Sequence, residues 1–252
     1  MKYYYMTDTG KVRDHNEDSV VITENMNKEI LMTVADGMGG HNAGEVASSM
    51  VITNIGKRFR DLSSIGNKED AINWIKETVN DINALIYNYT LEHPECTGMG
   101  TTLVLALITK DFLLFGNIGD SSGFIIKNKK LKKITTDHTL VNLLVESGEL
   151  TIEEASNHPK KNVLMKALGS NNTVEVDIFD VEGDIDGIML CSDGLTNMLS
   201  KEQIEKVLNE ELNVDEKVIK LIYKCNNRGG NDNVSVAYLE KGGKKWYKKD
   251  KK

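Results

Sequence analysis

Two apolar, β-branched runs, 101–108 and 112–118, are separated only by Thr109-Lys110-Asp111. A link that short joins strands only as an antiparallel hairpin, because parallel neighbours need a crossover of about a dozen residues. Asn128-Lys129-Lys130 makes a second tight turn, after the run 123–126. Further strand-like runs occupy 19–23, 29–35, 174–181, 187–191 and 233–239. Amphipathic segments at helical spacing stand at 43–59 (Val46, Ala47, Met50, Val51, Ile55), 68–91 (Ile72, Ile75, Val79, Ile82, Ile86), 201–212 and 214–226. Two helices follow the first strands, two precede the last, and strands cluster between. That order predicts an α+β fold, antiparallel sheets with helices laid outside, rather than a doubly wound parallel sheet. The polar-rich stretch 139–168 reads as short helices in a surface excursion.

The chain has 252 residues, two prolines (Pro94 and Pro159) and no linker-like tract, which predicts a single domain over 1–241. Residues 242–252 form a basic tail, read as a flexible, solvated end. A net charge of −7 argues against nucleic acid as a partner, since like charges repel. Cys96, Cys191 and Cys225 are few and far apart, which argues against a disulfide framework and for a reducing compartment. The N-terminus lacks a signal-peptide core, and no apolar run approaches the ~20 residues of a membrane span. These readings predict a cytoplasmic protein without a transmembrane segment.

The chemistry is written in where the carboxylates fall. The run 30–35 leads into Asp36-Gly37-Met38-Gly39-Gly40-His41, and 188–191 into Ser192-Asp193-Gly194. The run 113–118 leads into Gly119-Asp120-Ser121, and Gly230-Asn231-Asp232-Asn233 opens the last strand. Taken singly, Asp-Gly after a strand is a turn dipeptide. Four such aspartates at strand ends point instead to a hard divalent cation, Mn²⁺ or Mg²⁺, because oxygen ligands suit such ions and clustered Cys or His are absent. Carboxylates brought together repel unless a cation sits among them. Near the N-terminus, Arg13 is suited to fork a phosphate, and Glu17 and Asp18 could join the ligand shell through water.

These segments resemble the protein phosphatase 2C family, the metal-dependent phosphatases, in its compact bacterial form. The resemblance is carried, in family order, by Thr7-Asp8 with Gly10, Arg13 and Asn16-Glu17-Asp18; Asp36-Gly37-Met38-Gly39-Gly40-His41; Gly100-Thr101-Thr102; Gly119-Asp120-Ser121; Thr136-Asp137-His138-Thr139; Ala167-Leu168-Gly169; Ser192-Asp193-Gly194; and Gly230-Asn231-Asp232-Asn233-Val234-Ser235. It implies a four-layer α-β-β-α sandwich and a protein serine/threonine phosphatase that hydrolyses phosphoserine and phosphothreonine with a metal-activated water. It implies that Asp36 bridges two ions, with the Gly37 carbonyl on one of them, and that Asp193 and Asp232 complete the first ion's shell. Glu17 falls near the second ion, Asp120 with Asp193 on a third, weaker one, and Arg13 on the substrate phosphate. Arg13, Asp36 and Asp193 form the expected catalytic set. The stretch 139–168 corresponds to a flap beside the site. Phosphorylated proteins are the implied substrates, a Ser/Thr protein kinase the implied antagonist, and a monomer the default state. Two positions depart from the pattern: Ser122 stands where relatives often carry Arg, and Met38 where animal members have a proposed acid, His. No acid role is assigned to His41. A phosphatase-like sensing module and a phosphohydrolase acting on nucleotides stay open as alternatives.

Overall fold

The structure, a computed structural model, describes residues 1–40 and 43–242. His41 and residues 243–252 of the basic tail lie outside the described residues. The first sheet runs β1 (Lys2–Asp8), β11 (Val234–Glu240), β10 (Gly187–Cys191), β7 (Ser122–Lys127), β8 (Lys130–Lys133). The second runs β2 (Asp18–Glu24), β3 (Ile30–Met38), β5 (Leu103–Ile108), β6 (Leu113–Ile118), β9 (Asp177–Asp180), with β4 (Gly100–Thr101) beside the end of β3. All pairings are antiparallel.

The central strands are apolar on both faces, which forces a layer on each side of each sheet. On β5, Leu103, Leu105 and Leu107 pack under α1 (Ala43–Arg60) and α2 (Lys68–Glu92), while Val104, Ala106 and Ile108 face the other sheet. On β11, Val234, Val236 and Tyr238 meet α6 (Lys201–Leu208) and α7 (Val214–Asn227), while Ala237 and Leu239 face inward. The result is a four-layer α-β-β-α sandwich of the α+β class. No helix among the described residues is long and apolar enough to cross a membrane.

Several elements differ from the sequence reading. The aromatic N-terminus forms β1, an edge strand in register with the whole of β11, with Tyr4 and Met6 turned toward α7 and its core. The run 101–108 is broken at Thr102, whose side chain and backbone are engaged by Asp36. Of 174–181 only four residues pair as a strand. The Lys127–Lys130 turn places Asn128 and Lys129 at φ 52° and 63°, the two-residue geometry that matches strand twist. The 139–168 stretch carries two short helices, α3 (Leu140–Glu146) and α4 (Ile152–Ser156), begun by Thr139 and Thr151 caps.

The inter-sheet layer depends on Phe115, which is fully buried. A Cβ on Gly123 would stand 2.7 Å from its ring, so glycine there is what admits it. Phe115→Ala should lower unfolding free energy by about 3–5 kcal/mol, read as a lower urea midpoint at unchanged slope.

Candidate active site

The two sheets bring Asp36 (β3), Asp120 (after β6), Asp193 (first residue of α5, Asp193–Thr196) and Asp232 (before β11) to one end of the sandwich. They line one cleft of about 270 Å³ with Arg13, Glu17, Gly37 and Asn233. The metal-ligand and phosphate candidates from the sequence therefore meet in one place, except Asp18, which does not line the cleft. Asp36 lies inside β3 rather than past its end, and Ser192-Asp193-Gly194 opens a helix rather than a turn.

Hydroxyls and amides fix the backbone behind these carboxylates. The Asp36 N–H donates to Thr102 Oγ1 (2.9 Å), and the Asp36 carbonyl accepts from Thr102 N–H (2.8 Å) and Thr101 Oγ1 (2.9 Å). Thr102 Oγ1 also meets Ser121 Oγ at 2.7 Å, tying Asp36 to the Asp120 turn. Thr101 exchanges backbone bonds with Leu168, and Gly169 N–H donates to buried Asn83, which anchors Ala167-Leu168-Gly169. Asn233 accepts from Glu17 N–H and donates to the Thr9 and His15 carbonyls, stapling the 9–17 loop to β11. Glycine is required where β3 meets α1: a Cβ on Gly37 would stand 2.1 Å from the Gly44 carbonyl oxygen. The Glu17 carboxylate takes a hydrogen bond from Gly44 N–H at the start of α1.

His138, quoted in the sequence only within a motif, ties the Asp120 turn to the 139–168 stretch. Its Nδ1 accepts from Gly119 N–H (3.0 Å), so Nε2 carries the proton it shares with Asp177 (3.1 Å). Asp177 also binds Lys166 (2.9 Å). Asn162 and Leu164 from the same stretch line the cleft, and no sequence signal singled them out.

The electrostatics are those of crowded acids. Enclosure by protein, then Asp18, Asp193, Asp120 and Asp232, holds the Asp36 carboxyl well above its ordinary range. Burial and Asp193 push Asp120 up to about 7. Burial and Asp232 raise Asp193, against hydrogen bonds from Asn197 and Asp36. Asp18, 5% exposed and paired across strands with Asp36, is pushed to about 7 by burial, although Ser192 Oγ donates to it at 2.7 Å. Its second oxygen has no hydrogen-bond partner. Burial also raises Glu17, against the pull of Arg13. The guanidinium of Arg13 lies 3.0 Å from Asp232 at the cleft rim, and Lys133 pulls Asp120 down from farther off. Among the described residues no three acids close into a ready cage.

The donor set fits hard divalent cations. It is all oxygen and short of positive charge, and behind it Asp18, paired across strands with Asp36, keeps a buried carboxyl oxygen unpaired. Asp36, Asp193, Asp232, Asp120, Glu17 and the Gly37 carbonyl are the groups that would hold them.

The family model for protein phosphatase 2C matches residues 10–224. This chain belongs to the protein phosphatase 2C family. It is 39% identical over 238 residues to the serine/threonine phosphatase stp of Listeria innocua, covering 94% of each chain. The serine/threonine phosphatase Stp1 of Staphylococcus aureus superposes with a TM-score of 0.89 at 35% identity, covering 96% of this chain and 95% of that one. The catalytic domain of the phosphatase PstP in complex with two manganese ions gives a TM-score of 0.81 at 33% identity, covering 95% and 97%. The family's expected departures sit plainly in the fold. Ser122 is a buried first residue of β7 with Oγ 3.4 Å from the Asp120 carbonyl, and Met38 lines the cleft.

A carboxyl whose folded value exceeds its ordinary one binds extra protons when folded, so stability falls as pH rises between the two. For Asp18 and Asp120 that window runs from 3.8 to about 7. Metal-free protein should therefore melt at a higher temperature at pH 5.5 than at pH 8, and Mn²⁺ should remove most of the difference; melting in EDTA and in Mn²⁺ checks it. Asp36→Asn should raise the metal-free melting temperature at pH 8 by about 2–4 °C while shrinking the Mn²⁺-induced shift.

Proposed function

We propose that this chain is a metal-dependent protein serine/threonine phosphatase that removes phosphate from phosphoserine and phosphothreonine of other proteins. The observation that carries this reading is the cleft itself: carboxylates from both sheets converge beneath one arginine. The names of its relatives, serine/threonine phosphatases with two manganese ions in one case, support the same reaction and the same cofactor class.

Bound Mn²⁺ or Mg²⁺, two ions in the core and a third, weaker one, would supply counter-charge and Lewis acidity that activates water for attack on phosphorus. The chain's own groups do the rest. Asp36, with Asp193 and Asp232, would hold the first ion and reach toward the second beside Glu17, and Asp120 with Asp193 would hold the third. Thr101 and Thr102 hold the Asp36 backbone so that its carboxylate keeps one position as charge arrives. Arg13 is half exposed, and its partner Asp232 is a third exposed. A rim ion pair of this kind is weak, so Arg13 can release Asp232 and fork the phosphate oxygens. Cys191 is buried at the end of β10 with its thiol raised by that burial, which removes it as a nucleophile.

The 139–168 segment serves as the flap beside the cleft. A Ser/Thr protein kinase is the antagonist, the chain acts as a monomer, and the cytoplasm is its compartment.

Phosphate release from a phosphothreonine peptide should require Mn²⁺ and stop with EDTA; release unaffected by EDTA would refute the metal assignment. Asp36→Asn and Asp193→Asn should fall to the metal-free background with the fold retained. Arg13→Ala should raise KM for a phosphopeptide by about 10- to 100-fold, the loss of a charge-assisted pair, with a smaller change in kcat.

A further inference from the structure

A second hollow of about 280 Å³ opens beside the catalytic cleft. The two share Asp120, Asn162 and Asp193, so a peptide chain leaving one enters the other. An aliphatic stripe runs along the 139–168 side, Val141 and Val145 from α3 and Ile152 and Ala155 from α4, between polar neighbours that include Lys161. Ile152 is 79% exposed, although it stands in the first turn of a helix where a polar residue would serve the fold as well. The facing wall carries Thr196 and Asn197 from the end of α5. Hydroxyl and amide groups opposite an aliphatic stripe suit a peptide whose backbone lies on one side and whose side chain lies on the other. An acidic side chain would give up its water against the aliphatic stripe, whereas an aliphatic one gains by burial there.

We infer that this hollow is a subsite for a residue flanking the phosphorylated one, and that it takes an aliphatic side chain in preference to an acidic one. The inference rests on the protein-phosphatase reading above. The occupant is a phosphorylated protein segment, because the hollow is continuous with the cleft that would hold its phosphate.

The test uses the full chain with Mn²⁺ and a set of phosphothreonine peptides. Each peptide carries leucine or aspartate at one flanking position, and p-nitrophenyl phosphate serves as a substrate with no flank. The expected result is a kcat/KM about tenfold higher for leucine than for aspartate at one position or more. Ile152→Asp, and separately Val145→Ser, should bring that ratio down toward one. The ratio is internal to each variant, so partial loss of folded protein cancels. Equal kcat/KM for all peptides, or a leucine preference untouched in both variants, would overturn the subsite while the phosphatase reading stands. Turnover of p-nitrophenyl phosphate without turnover of any peptide would overturn it too. No release from any substrate would overturn both.

Discussion

Mutual repulsion among acids is the constraint on which this structure turns. Asp18, Asp36, Asp120, Asp193 and Asp232 act on one another, and the one guanidinium among them is half exposed. Left alone, Asp18, Asp36, Asp120 and Asp193 hold protons at pH values where carboxyls are ordinarily ionised. Folding brings the acids together because they are fixed to strand ends that the hydrophobic layers assemble. The free energy of core burial in three apolar layers is thus set against electrostatic strain at one end of the sandwich. A divalent cation relieves that strain, which makes metal binding and stability two faces of one property.

Neutral side chains make the arrangement rigid. Thr101, Thr102, Ser121, Ser192 and Asn233 each bond to the backbone or side chain of an acid or of its neighbour. Most of these bonds cross between segments distant in sequence, such as Glu17 with Asn233. The active site is therefore also the place where the two sheets are stitched together. His138 extends the stitching to the 139–168 stretch through Gly119 on one ring nitrogen and Asp177 on the other.

Much of this was legible in the sequence, for physical reasons. Short links at 109–111 and 128–130 dictated hairpins, and fully apolar strands dictated layers on both faces. Asp36, Asp120 and Asp193 stood out because each follows an apolar run with glycine beside it. Other features were hidden. β1 was missed because its three tyrosines give no alternation until β11 supplies a partner. The depth of Asp18 follows from its pairing opposite Asp36, a long-range register. Asn162 and Leu164 reach the cleft only through the path of the 139–168 stretch, which its polar composition does not specify.

The account's central claim is that cations replace protons on these acids. Titrating the metal-free protein with Mn²⁺ in a calorimeter at pH 6.5, in buffers of different ionisation enthalpy, counts the protons released. The account predicts release of about one proton or more per protein, since Asp18 and Asp120 hold protons up to about 7 in the metal-free state. Tight binding with no proton release would contradict it.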